Sequence, residues 1–242
     1  MILLIAATPL ETVLLRTELP LCKHAEQAMW SGSLVPHLSL GLIHTGVGPA
    51  STAVYLTRAL AQQPIQAVLM IGCAGAYPHS DLKVGDLALA TEEVYGDLGV
   101  ETEEGFLTLA DLDIPGDPPP IERIDLQHRL HLAAAHHLRT VFATQAGHFR
   151  CGRFVTVSAG SGSENRSRQL ALRTDGLCEN MEGAAAAQAC ALYGVPFLEL
   201  RGISNPTGTR DPRQWDLKRG VEAAQRGALS LLQHWHHLKE TP

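Results

Sequence analysis

Ala67-Val-Leu-Met-Ile71, running straight into Gly72-Cys-Ala-Gly-Ala76, is the stretch on which the reading of this 242-residue chain turns. Five consecutive apolar residues without polar alternation suit a strand buried on both faces, as in a parallel sheet. The small residues after it let a ligand approach the main chain, at the edge where open α/β sheets bind ligands; a plain glycine-rich turn is the alternative. Similar apolar runs of strand length occur at residues 2–7, 38–43, 86–94, 140–144, 154–158 and 195–200. Helical patterns separate them at 50–62, 126–139, 182–193 and 216–237. This alternation predicts an α/β fold in a single domain, residues 1–242, with a central mixed, mainly parallel sheet flanked by helices. Strand candidates crowded between residues 86 and 110 are the reason for expecting a mixed sheet. The stretch 111–120 holds four prolines and three aspartates and reads as a surface loop inside the domain.

Composition narrows the function classes. Lys and Arg number 19 against 25 Asp and Glu, for a net charge of −6, with 45% hydrophobic and 18% charged residues. These values describe a globular chain and not a disordered or collagen-like one. A mildly acidic chain without a basic run is a poor match for nucleic acid. Five cysteines, an odd number without a C-x-x-C pair, suggest neither a disulfide framework nor a thiolate zinc site, so a reducing compartment is expected. Residues 1–7 lack a basic flank, Pro9 and Glu11 interrupt the apolar run, and no stretch approaches a membrane span. The expected location is cytoplasmic, with no membrane partner.

Three further junctions carry polar groups. Thr45-Gly-Val-Gly48 precedes a helix with Pro49 in its first turn, where free backbone N–H groups suit an anion or a ribose hydroxyl, or where the chain simply turns. Ser51 replaces the third glycine of a dinucleotide fingerprint, which argues against NAD. Glu179-Asn-Met-Glu-Gly183 joins a strand-like 176–178 to an alanine-rich helix, placing Asn180, Met181 and Glu182 at a usual ligand position; a glutamate there could equally serve the helix start. Arg201-Gly-Ile-Ser-Asn205 follows the next strand, and Arg201 could hold Glu182 ionised through a charge-assisted bond. The histidines at 128, 131, 136, 137, 234, 236 and 237 lie on helical patterns without completing a ligand set, so solvated helix faces are expected and no metal. Ser161-Gly-Ser163 lacks a nucleophile-elbow pattern.

Residues 2–11, 45–48, 71–75 with Lys83-Val-Gly-Asp86, and 180–205 together resemble, in order, the purine nucleoside phosphorylase/nucleosidase superfamily, and particularly its methylthioadenosine/adenosylhomocysteine nucleosidase branch. Arg201-Gly-Ile-Ser-Asn-Pro-Thr-Gly-Thr-Arg-Asp211 with Trp215-Asp216 is most similar to the futalosine hydrolases within it. The resemblance implies a nucleoside phosphorylase-like fold, a purine nucleoside substrate, no cofactor, a homodimer or higher homo-oligomer, and release of hypoxanthine from futalosine in menaquinone biosynthesis. It implies that Glu11 orients and deprotonates water, that Glu182 binds ribose hydroxyls and that Met181 packs under the sugar. Phe154 falls near a family aromatic that stacks on the base, within one or two residues. Ala74 and Gly75 match the loop near the water, Val47 an apolar neighbour, and Arg201 the arginine before the base-recognition segment containing Ser204.

Adenine-releasing relatives carry Asp where Asn205 stands. An amide both donates and accepts, which suits a 6-oxopurine. The carboxylate of Glu11, where phosphorylases cradle phosphate, favours hydrolysis, with Arg16 expected to face elsewhere. Arg210, Arg213 and Trp215 are candidates for the carboxylate tail of futalosine. A phosphorylase, a methylthioadenosine-type nucleosidase and a non-catalytic nucleoside-binding module are the competing readings.

Overall fold

The computed structural model describes residues 1–24, 29–35, 38–116, 119–143 and 148–240. In chain order the elements are β1 (Ile2–Ala6), α1 (Val13–Glu18), β2 (Cys22–His24), β3 (Met29–Val35), β4 (Leu38–His44), α2 (Pro49–Gln62), β5 (Ala67–Ala76) and β6 (Leu87–Tyr95). There follow β7 (Gly99–Glu101), β8 (Phe106–Thr108), β9 (Arg123–Asp125), α3 (Arg129–Phe142), β10 (Phe149–Thr156), α4 (Glu164–Thr174) and β11 (Cys178–Asn180). The chain then forms α5 (Gly183–Tyr193), β12 (Phe197–Pro206), α6 (Leu217–Gln233) and α7 (Trp235–Glu240).

Ten strands form one mixed sheet in the order β11-β10-β6-β12-β5-β1-β4-β3-β2, with β9 added beside β6. Its centre, β4-β1-β5-β12, is parallel. Apolar residues there alternate between two layers. Leu69 and Ile71 of β5 join a core closed by α3, α6 and α7, while Val68 and Met70 join one closed by α2 and α5. This two-sided burial is why the strands read as continuous apolar runs, each buried Leu or Ile contributing about 1.5–3 kcal/mol. The alanine-rich α5 packs closely on α2, its small side chains allowing the approach.

Two irregularities prepare the site. The short β11 pairs with β10 and also, antiparallel, with the end of β5 through Cys178↔Ala76 and Glu179↔Gly75. The pairings β5-β12-β6-β10-β11-β5 therefore close a ring that the C-terminal end of β5 completes. In β12 the register against β5 shifts between Ile203 and Asn205, a bulge that re-aims the strand end.

Several expected boundaries differ. Residues 140–142 finish α3, where Phe142 packs on the core, instead of forming a strand; residue 144 lies outside the described residues. The predicted last helix is two, broken at His234. The described part of 111–120 is turn and irregular chain. His131 is no solvated histidine: it is 2% exposed, while His128 caps α3 by accepting from the His131 N–H at 3.3 Å. Among the described residues no helix is long and apolar enough to cross a membrane.

Candidate active site

A cavity of about 580 Å³ opens where β1, β5, β11 and β12 end. Its wall includes Glu11, Val47, Ala74, Gly75, Asn180, Met181, Glu182, Arg201, Ser204, Asn205 and Trp215, eleven of the twelve positions expected from sequence. Phe154 is the exception. It is fully buried in the α2–α5 core, because β10 reaches the cavity only beyond its last residue, Thr156, and there Val157 and Gly160–Gly162 line the wall.

Glu11 sits in a short 3₁₀ turn after β1 and is 6% exposed. Its Oε2 accepts from the Thr8 N–H at 2.9 Å and the Thr8 hydroxyl at 3.0 Å. Its Oε1 accepts from the Cys73 N–H at 3.1 Å. Donors from the turn after β1 and from β5 thus clamp one carboxylate. The Cys73 thiol, 3.8 Å from the same oxygen, is pushed up to about 11, chiefly by burial and then by Glu11.

Glu182 stands just before α5 but does not cap it. Its Oε1 accepts from the Gly48 N–H at the start of α2, at 3.0 Å, and its Oε2 from Arg201 Nη2 at 3.3 Å. The Thr45–Gly48 turn thus spends its amide on a protein carboxylate. Asn180 fixes the junction, its Oδ1 accepting from the N–H groups of Glu182 and Gly183 at 2.8 and 2.7 Å.

Arg201, 1% exposed, ties these parts together. Its Nε donates to Glu199 at 2.7 Å, Nη1 to the Cys73 carbonyl at 3.2 Å, and Nη2 to Asn180 and Glu182, both at 3.3 Å. Burial alone works against its charge, but the carboxylates of Glu199, Glu182 and Glu11 outweigh that and raise its pKa further. Gly72 is the cost-free neighbour this packing requires: a Cβ there would stand 2.4 Å from Arg201 Nη1 and 2.7 Å from Glu11 Oε1.

The β12 bulge brings Ser204 and Asn205 to the cavity. The Ser204 hydroxyl lies 2.7 Å from Asn205 Oδ1, and Asn205 Nδ2 donates to the Pro206 carbonyl at 2.9 Å. One amide proton and one carbonyl lone pair are left over. At the rim the Arg210 guanidinium lies over the Trp215 ring, 4.5 Å from its centre. Arg213 faces away and is held by Asp211 at 2.8 Å. Arg16 also points elsewhere, bonded to Thr12 and the Pro9 carbonyl and stacked on Trp30.

Sequence reasoning passed over Glu179, whose two oxygens accept from the Ser161 N–H and hydroxyl at 2.7 and 2.6 Å and so shape the wall. It also passed over Cys73, Gly72 and the buried Glu93 and Glu199. Glu179 and Gly72 lay inside the quoted motifs; Glu93 and Glu199 had no local signal. Among the described residues no cluster of His, Cys, Asp or Glu is arranged to hold a metal.

The cavity at the C-terminal strand ends carries two fixed carboxylates, and comparison with known proteins gives the class as a nucleosidase, an enzyme cleaving N-glycosidic bonds. The chain matches the Phosphorylase superfamily over residues 1–233, and within it belongs to the futalosine hydrolase family. It is 34% identical to futalosine hydrolase of Thermus thermophilus, over 78% of this chain and 80% of that one. It is 37% identical to that of Streptomyces coelicolor, over 75% and 74%. A solved Neisseria meningitidis 5'-methylthioadenosine/S-adenosylhomocysteine nucleosidase, in complex with methylthio-immucillin-A, has the same fold, with a TM-score of 0.81 at 21% identity over 96% of this chain and 98% of that one.

Proposed function

We propose that this enzyme hydrolyses futalosine at its N-glycosidic bond, releasing hypoxanthine and dehypoxanthine futalosine as a step of menaquinone biosynthesis in the cytoplasm, and that it works as a homo-oligomer. The observation that carries the substrate choice is Asn205, whose spare donor and spare acceptor match O6 and a protonated N7 of a 6-oxopurine. An adenine would set its 6-amino donor against the Asn205 N–H. A mismatch of this kind costs about 1–3 kcal/mol.

In the proposed reaction Glu11 takes a proton from water as the water oxygen bonds to C1′. The C1′–N9 bond breaks and its electron pair passes into the purine, which takes up a proton from solvent at N7 while Asn205 donates to O6 and accepts from N7–H; Glu11 returns its proton to solvent. Glu182 keeps lone pairs for the ribose hydroxyls while Gly48 and Arg201 hold it. Both carboxylates also stabilise the cationic sugar. Glu11 leaves little room for an anion beside it, and Arg16 is engaged elsewhere, both of which favour water over phosphate as the nucleophile. Arg210, stacked on Trp215 and without a carboxylate partner among the described residues, is the cation offered to the acidic tail of futalosine.

The test is to follow base release from futalosine, inosine and methylthioadenosine with and without phosphate. Phosphate-independent hypoxanthine release, fastest from futalosine, is expected. A strict need for phosphate, or faster adenine release, overturns the reading.

A further inference from the structure

Beneath the cavity floor lie two acidic side chains that the reaction does not use. Glu93 of β6 and Glu199 of β12 are both fully buried. Their carboxyls converge on the same point, the space a side chain at Gly183 would fill. A Cβ there would be 2.1 Å from Glu93 Oε1 and 2.4 Å from Glu199 Oε2, so the two oxygens are near neighbours. Only glycine can start α5 above them.

The surroundings distribute donors unequally. Glu93 Oε2 accepts from the Thr156 hydroxyl at 2.7 Å, and Oε1 from Asn180 Nδ2 at 2.9 Å. Glu199 Oε1 accepts from Arg201 Nε at 2.7 Å, whereas Glu199 Oε2 is buried with no donor from the rest of the protein. An orphaned carboxylate oxygen beside a second carboxyl is satisfied when a proton lies between them. Two like charges at such a distance cannot both ionise.

We propose that Glu93 and Glu199 share one proton as a carboxylic acid–carboxylate pair, and that this pair positions Arg201 and Glu182 for ribose binding. Glu199 retains the charge that holds Arg201 Nε; Glu93 bonds Asn180, whose Oδ1 fixes the backbone of Glu182. Every group packed on the pair fits this arrangement. Thr156 comes from β10, Asn180 and the Cys178 thiol from β11, Arg201 from β12, and Tyr95 from β6 itself. The Cys178 thiol is driven up by burial and then by Glu199, and the Tyr95 hydroxyl to about 12 by burial and then by Glu93. Burial, followed by the charge of Glu199, raises the Glu93 pKa well above the usual carboxyl range. Without the proton, Glu93 and Glu199 would set two negative charges side by side next to a guanidinium that Glu11 and Glu182 already face.

Infrared spectroscopy of the intact enzyme above pH 7, where ordinary carboxyls are ionised, tests the proton directly and needs no substrate. The wild type should show the C=O stretch of a protonated carboxylic acid; Glu93→Gln and Glu199→Gln should each lose it, and Glu11→Gln should keep it. Absence of the band in the wild type, or its survival in Glu93→Gln, overturns the proposal. The positioning role rests on the ribose assignment of Glu182 and is read kinetically. Glu199→Gln should raise KM for the nucleoside at least tenfold with a smaller change in kcat, and Glu93→Gln, a neutral isostere of the acid, should raise it less. Equal effects of the two variants contradict the asymmetry. Should Glu199→Gln fail to fold, the band in the wild type and Glu93→Gln still decides.

Discussion

Glu182 accepts a hydrogen bond from the backbone N–H of Gly48 at 3.0 Å, across 134 residues of chain. The donor is one of the unpaired amides at the start of α2, so the positive end of that helix points at a carboxylate belonging to another. Arg201 approaches the same carboxylate from β12. Held from two sides, the Glu182 carboxylate is oriented before any ligand arrives. The same economy holds at Glu11, where Thr8, in the turn after β1, and Cys73 of β5 supply donors from two sides.

Replacing Glu11 by Gln should leave the fold while removing the base; its one oxygen keeps either the Thr8 contacts or the Cys73 contact. Loss of a general base lowers turnover about 10²–10⁴-fold. Steady-state kinetics should therefore show a fall in kcat with little change in KM. Full turnover in Glu11→Gln would reassign the proton acceptor.

Asn205→Asp exchanges a donor–acceptor side chain for one that only accepts when ionised. Hypoxanthine release should fall, by about 10–100-fold for one lost hydrogen bond to developing charge, and adenine release from methylthioadenosine should rise. Competition assays with the two nucleosides read the ratio. An unchanged ratio removes Asn205 from base selection.

Much of this was legible from local sequence because the parallel strands, buried on both faces, are plain apolar runs and their C-terminal junctions are where ligands are held. Glu11, Asn180, Glu182 and Arg201 each follow such a run. Phe154 was misplaced for a physical reason: the strand carries its aromatic residue inward, and the cavity wall begins only past its end. Glu93 and Glu199 sit mid-strand, 106 positions apart by their numbers, and only the neighbouring of β6 and β12 brings them together. His131 shows the opposite failure, a polar residue on an amphipathic helix that faces the core.

Acid should destabilise the fold through one buried and two half-buried histidines. Burial lowers the pKa values of His44, His131 and His137, with Arg16 and Lys23 adding to the effect at His44. Below the ordinary histidine range, near pH 6.5, the unfolded chain then binds protons that the folded chain refuses. Stability from these groups is present above that pH and is lost as pH falls toward the depressed values. Thermal unfolding should give a lower Tm at pH 5.5 than at pH 7.5, with part of the difference removed in His131→Gln. A Tm independent of pH across this window contradicts the assignment.

Arg210 supplies the sharpest separation between a general nucleosidase and one adapted to an acidic substrate. Its guanidinium lies over Trp215 at the cavity rim, and nothing in the hydrolytic machinery touches it. Arg210→Ala should therefore spare inosine, which has no acidic group to lose. For futalosine it should remove a charge-assisted contact, about 1.5–3 kcal/mol, or roughly 10–100-fold in kcat/KM. Arg210→Lys keeps the charge but not the planar stack, and should recover only part of the loss. Arg213→Ala, at a residue already paired with Asp211 and turned outward, should behave as wild type on both substrates. Equal losses on inosine and futalosine in Arg210→Ala would mean that the arginine shapes the loop and does not read the substrate.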